Sequence, residues 1–177
     1  MNLFSFIFIA DTHGFLDDFQ KQKEIIEKIH PEYVLAEFLQ DLILDSPEKY
    51  SSILKTKKIS DTVSWKEVKK LVQLCWKKDI KLIGMDMKNF GFDKHLQEVV
   101  KGKKPLTETD EKRIESILKE RQKNHLQICK EYPRKTKKTI VVIIGAWHLQ
   151  KISPLMQELE NYQVIFPVTK EGRMLLN

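Results

Sequence analysis

The chain has 177 residues, 41% of them hydrophobic and 32% charged, with a formal net charge of +6. This excludes a disordered or fibrous chain and fits a single domain over 1–177 with room for a real core. Only Cys75 and Cys129 are cysteines, which excludes a disulfide framework and makes a reducing, cytoplasmic setting the expectation.

The first predicted element is a buried strand, Leu3 to Ala10. The N-terminal stretch MNLFSFIFIA lacks a basic region, and Asp11 and His13 interrupt it before a signal-peptide core is complete. No later run reaches the roughly 18 apolar residues of a membrane span, so no membrane partner is expected. A helical pattern runs from about Phe15 to His30, with Phe15, Phe19, Ile26 and Ile29 on one face, and Pro31 stops it. EYVLAEFL (32–39) is the second strand. Ser46 and Pro47 then open a short helix as N-cap and first residue.

Ser64 and Glu67 have capping-box spacing ahead of a helix that runs to about Lys78. Trp65, Val68, Val72 and Trp76 form its apolar stripe. IKLIGMD (80–86) is the third strand, followed by a loop, a short helix and a basic linker ending at Pro105. A long helix is expected from about Glu108 to Tyr132, capped by Thr107 and Asp110. TIVVIIGAWH (139–148) is the strongest strand signal, Ser153-Pro154 starts another helix, and YQVIFPV (162–168) is a fifth strand. Strands alternating with helices predict an α/β fold with a mainly parallel central sheet of about five strands flanked by helices.

Polar residues gather where these strands end. Asp11 and His13 follow the first, Glu37 sits near the end of the second, Asp86 follows the third and His148 the fourth. In a parallel sheet those ends share one edge, and open α/β sheets take ligands there. Each residue also has a plain structural use: an aspartate can cap the next helix, and a lone histidine can be a satisfied core residue. Glu37 is harder to explain that way, because a carboxylate inside VLAEFL is costly to bury without a partner. Gly145 is expected to let the chain turn sharply and carry His148 over the edge.

On the long helix, Arg121 and His125 point along the middle of the stripe Ile114, Ile117, Leu118, Ile128 and Tyr132. A guanidinium there needs an anion or carbonyl, or must snorkel. His125 reads as structural. Two imidazoles with one to three carboxylates suit a divalent ion such as Zn, Mn, Co or Fe with an open position for water. Here His13, Glu37, His148, Asp11 and Asp86 are the candidate ligands. Without metal, one histidine is a general base oriented by Glu37, and Arg121 stabilises developing negative charge. Both arrangements lead to hydrolysis.

The lysine clusters KTKK (55–58), KGKK (101–104) and RKTKK (134–138) read as solvated helix ends and loops rather than a nucleic-acid surface. They lack interleaved aromatics, and the chain has only four arginines.

In order, ADTH (10–13), LAEF (35–38), KERQKN (119–124) and GAWHL (145–149) resemble the motifs of the TIKI/TraB superfamily, which includes erythromycin esterase-like and ChaN-like proteins. Ala10 stands where the first motif has glycine, and the chain is shorter than usual, without the inserted helices that would shape a substrate pocket. The resemblance implies shared site residues His13, Glu37 and His148, with Arg121 as the late-helix arginine. Members include metal-dependent proteases, metal-independent esterases and a haem-binding protein. A peptide- or ester-cleaving, metal-dependent hydrolase acting on a small molecule or peptide is the resulting expectation.

Two rival readings use the same residues. ADTHG also resembles the opening of calcineurin-like metallophosphoesterases, but the later segments of that family are absent. An acidic nuclease or phosphoesterase would use Asp11, Glu37 and Asp86 with Mg or Mn, leaving GAWH unexplained. A non-catalytic module could bind haem through His or Tyr.

Overall fold

The computed structural model describes residues 5–11 and 16–167. Six strands form one sheet in the order β3-β4-β2-β5-β1-β6. They are β1 (Phe6–Asp11), β2 (Tyr33–Ala36), β3 (Ile43–Leu44), β4 (Lys81–Gly84), β5 (Ile140–Gly145) and β6 (Tyr162–Ile165). All neighbours pair in parallel except β3, which runs antiparallel to β4. The expected α/β architecture is therefore present, with a sixth strand. The two-residue β3 is too short to give a periodic signal in sequence.

The helices are α1 (Leu16–Ile29), α2 (Pro47–Thr56), α3 (Trp65–Lys77), α4 (Lys94–Val100), α5 (Glu108–Glu131) and α6 (Pro154–Glu158). Ser46 caps α2, accepting from Lys49 N, with Pro47 in the first turn. Thr107 and Asp110 form a reciprocal capping box on α5. Ser64 is at the N-cap position of α3, but its side chain makes no capping hydrogen bond, and the Glu67 side chain lies outside the described residues.

Side chains of the central strands alternate between two cores, as the period of two requires. Ile7, Ile9, Val34, Ala36, Val141 and Ile143 face one core, with Ile25 and Ile26 of α1 and Val68, Leu71 and Val72 of α3. Phe6, Phe8, Leu35, Val142 and Ile144 face the other, with Leu126 and Cys129 of α5 and Leu155 of α6. Right-handed crossovers explain the division. The chain moves one way across the sheet from β1 through β2 to β4, and the opposite way from β4 through β5 to β6. Reversing direction sends the helices to the opposite face. At the carboxyl edge, β2 and β5 are neighbours whose connections leave in opposite directions, which opens a crevice between them.

Four strands stop earlier than the sequence suggests, β4 at Gly84 and β6 at Ile165 as well as β2 and β5, and one stripe member is misplaced. β2 ends at Ala36, so Glu37 opens a 3-10 turn, Glu37–Leu39. β5 ends at Gly145, and His148 lies in the 3-10 turn Ala146–Leu149. Both turns begin where the polar edge begins, because a carboxylate and an imidazole gain more from neighbours at the rim than from continued ladder pairing. Trp76 is 46% exposed rather than part of the core stripe. The buried row of α3 runs Val68, Leu71, Val72 and Cys75, and Trp76, near the end of the helix, falls off its side.

Candidate functional site

Glu37, the first residue beyond β2, is 4% exposed. Its Oε2 accepts a hydrogen bond from Gly145 N at 2.7 Å. Its Oε1 accepts from Arg121 Nη2 at 2.7 Å and lies 3.2 Å from His148 Nε2. A Cβ at Gly145 would stand 3.1 Å from Glu37 Oε2 and 3.7 Å from His148 Cδ2. With φ −53° and ψ 134°, Gly145 adopts backbone open to any residue. The glycine makes room for the carboxylate; the expected sharp turn is not its reason.

Asp86 follows β4 and is 2% exposed. Arg121 Nε donates to both its oxygens, at 3.0 and 2.9 Å, and Nη2 adds a third bond at 2.7 Å. Met87 N donates to Oδ1 at 2.7 Å, and His125 Nε2 lies 3.1 Å from Oδ2. Asn124 donates to Met85 O at 3.0 Å, fastening α5 to the end of β4. One guanidinium thus bridges two buried carboxylates from different strand ends, and each carboxylate holds one imidazole.

Burial works against ionisation of Glu37, but the His148 hydrogen bond and the His148, His125 and Arg121 charges outweigh it, holding the carboxyl well below its usual range. Burial likewise opposes ionisation of Asp86, and the hydrogen bonds of His125 and Arg121 prevail. An ionised carboxylate only accepts, so each histidine donates from Nε2 and its neutral form keeps a lone pair on Nδ1. Both Nδ1 atoms are buried without a hydrogen-bond partner among the described residues. The two rings meet edge to face at 4.8 Å and 82°.

Strained backbone flanks both carboxylates. Asn89, Phe90 and Gly91 have φ of 52°, 56° and 75° in succession, a left-handed run that a phenylalanine ordinarily avoids. It places the Phe90 ring 4.8 Å from Arg121 Cζ. Gln40, at φ 56° and ψ −127°, ends the turn that begins with Glu37. Its Oε1 accepts from Asn89 N at 2.8 Å, so the two strained segments hold each other.

The sequence candidates divide clearly. Glu37, His148, Arg121 and Asp86 come together. Asp11 ends β1 in register with Gly145 and accepts from Gln22 Nε2 at 3.1 Å. His13 lies outside the described residues. His125, read from sequence as structural, belongs to the cluster; its four-residue spacing from Arg121 on the same helix face was the available signal. Phe90 gave no signal, because nothing in KNFG announces a left-handed run.

Ligand atoms of Glu37, Asp86 and His125 lie within 4.8 Å of one another and could hold a metal ion. The same carboxylates already share the Arg121 guanidinium, so a bound ion would have to displace it. No helix among the described residues is long and apolar enough to cross a membrane.

No family model matches the sequence, and no curated protein matches it. Two solved structures share the fold. One is ChaN of Campylobacter jejuni, described as binding haem cofacially, with a TM-score of 0.55 and 12% identity over 93% of this chain and 81% of that one. The other is the type III effector HopBA1, with a TM-score of 0.58 and 15% identity over 95% and 79%. The fold is ChaN-like. At such identities the likeness establishes architecture alone. A ChaN-like sheet with a buried Glu/Asp/His cluster at its carboxyl edge is what the structure provides.

Proposed function

We propose that this ChaN-like protein is a hydrolase of ester or peptide bonds, with Glu37 and His148 as its acid–base pair and Arg121 as its anion stabiliser. The observation that carries this reading is the Glu37 carboxylate, fixed by Gly145 N, Arg121 and His148. It orients the imidazole through Nε2, so that in the neutral ring Nδ1 carries the lone pair that acts as base. His148 Nδ1 takes a proton from water as the water oxygen bonds to the substrate carbonyl carbon. The carbonyl oxygen becomes an oxyanion, and Glu37 stabilises the imidazolium. Arg121 Nη1, which makes none of the hydrogen bonds formed by Nε and Nη2, donates to that oxyanion. On collapse the C–O or C–N bond breaks and the proton passes from His148 to the leaving group. His148 is 4% exposed, so substrate has to part the chain that covers it. His13, by its place in the TIKI/TraB-like motif order, is kept as a further member of the site, and Asp11 as its neighbour.

The guanidinium between Glu37 and Asp86 supports chemistry without a resident metal. In the metal-dependent alternative, Glu37, Asp86 and His125 hold the ion, which would lower the pKa of a bound water. Haem fits this cluster poorly, because its two histidines, His125 and His148, are both buried. The buried free cysteines Cys75 and Cys129 support a reducing, cytoplasmic setting.

Wild type and His148→Gln, which keeps a donor for Glu37, are assayed on nitrophenyl esters and short peptides, with elemental analysis and chelation. The expected result is turnover that survives chelation and falls at least ~100-fold in the variant, with a cooperative melting transition retained. Wild-type turnover in His148→Gln would sink the proposal. Loss on chelation would give the site to the metal. A Soret band on adding haem, with no turnover, would give the fold a binding role.

A further inference from the structure

A second concavity lies at the opposite end of the sheet, where β2, β4 and β5 begin. Its volume is about 560 Å³, within the range of small-ligand sites. Open α/β sheets ordinarily take ligands at the other edge, so the features gathered here call for their own account. The floor is apolar and fixed: Ile26 and Ile80 line it, and the Tyr50 hydroxyl is tied to Ile80 O at 2.6 Å. Pro31 and Pro47 stiffen the walls. His30 and Asp79, each with left-handed φ (50° and 54°), close α1 and α3 directly over the strand starts.

Three chemistries line the rim. Trp76 presents an indole that is 46% exposed, a flat surface for stacking. Lys138, the last residue of the basic run RKTKK, is exposed and forms no ion pair among the described residues. By contrast Lys81 is paired with Glu32 at 3.1 Å, and Lys78 reaches Glu27 at 3.5 Å. Asp79 adds an exposed carboxylate that accepts hydrogen bonds. Lys138 also lies near enough to Glu32 to help, after Thr136 and Lys81, in holding that carboxyl below its usual range.

We infer that this cavity binds a mononucleotide: the base stacks on Trp76, the phosphate meets Lys138 and Lys78, and the ribose hydroxyls donate to Asp79. A bare anion would leave the indole without use, and an uncharged ring would leave the exposed ammonium of Lys138 without use. A polynucleotide fits less well. Lys78, Lys81 and Lys138 are matched by Glu32, Asp45 and Asp79, so the lining lacks the net positive charge that follows a phosphate backbone.

The test is calorimetric titration of the whole protein with AMP, with adenosine and inorganic phosphate as separate arms. Saturable AMP binding with a Kd below about 1 mM is expected, weakened about tenfold by Trp76→Ala and similarly by Lys138→Glu. Trp76→Phe should retain binding, and so should His148→Gln, whose change lies at the other edge. Both single components should bind more weakly than AMP. Superimposable melting curves would show that Trp76→Ala and Lys138→Glu are folded. The inference is overturned if millimolar AMP does not saturate, if both variants bind like wild type, if phosphate alone binds as well as AMP, or if His148→Gln abolishes binding.

Discussion

The two ends of the sheet handle charge in opposite ways. At the carboxyl edge, Glu37, Asp86, Arg121, His125 and His148 are all buried, and each carboxylate is held by several donors. At the amino edge the ion pairs are solvated: Lys81–Glu32 leaves 40% and 35% of its side chains exposed. Buried charge is costly to desolvate, and removing one partner strands the other. Solvated pairs contribute little to stability and part readily for a ligand. Substitutions at the first edge should therefore register as stability, and those at the second mainly as binding.

The largest effect is expected at Arg121. Arg121→Met keeps much of the stem but removes the cation from two buried carboxylates, which should cost roughly 3–5 kcal/mol in denaturant unfolding. The pH dependence should weaken as well. In wild type, the folded pKa values of Glu37 and Asp86 lie below their ordinary 4.5 and 3.8. Their contribution is fully present above those ordinary values and is lost as pH falls through the lower folded values, where the unfolded state already holds the protons. Without Arg121, burial is opposed by fewer groups, with His148 and His125 remaining, so the folded carboxyls should shift back toward their ordinary range and the variant should lose less stability than wild type as pH falls through it. Parallel pH profiles for the two proteins would break the contrast between the edges.

How much of this was written in the sequence depends on the kind of signal. Every strand but β3, together with α5, announced itself through apolar periodicity, and Ser46-Pro47 and Thr107-Asp110 gave their caps in advance. The meeting of Glu37 with His148 followed from topology, because parallel strand ends must share an edge. The spacing could not say that Arg121 would bind both Glu37 and Asp86, since that depends on how α5 lies against the β4 end. It was equally silent on the Phe90 turn. Left-handed backbone at phenylalanine is set by the tertiary contacts around Gln40 and Arg121, not by local preference. Trp76 illustrates the reverse error: its helical spacing fits the stripe, but its position near the end of α3 leaves it exposed.

Gly145→Ala has the next expected effect, and here the sign carries the information. The φ and ψ at this position suit alanine, so a loosely held neighbour would let the variant gain the ~0.4–1 kcal/mol that less freedom in the unfolded chain provides. A carboxylate pinned by Arg121 and His148 cannot retreat from a Cβ at 3.1 Å, and the variant should instead lose about 1 kcal/mol. Thermal melts distinguish the two. A stabilised Gly145→Ala would mean that the Glu37 cradle is looser than its hydrogen bonds imply.

The smallest stability effect is expected at the amino edge, which makes it the sharper test of the comparison. Trp76→Ala and Lys138→Glu should each change unfolding free energy by no more than about 0.5 kcal/mol, the range for surface positions without special partners. The indole is large enough to matter if it packs. Truncating a buried tryptophan costs roughly 3–5 kcal/mol, so anything approaching that range would assign Trp76 to the hydrophobic core despite its 46% exposure. Such a loss would remove the free aromatic face on which base stacking depends. A near-zero change in Trp76→Ala, together with the loss of stability in Arg121→Met, would show one edge of the sheet committed to holding itself together and the other left open to solvent.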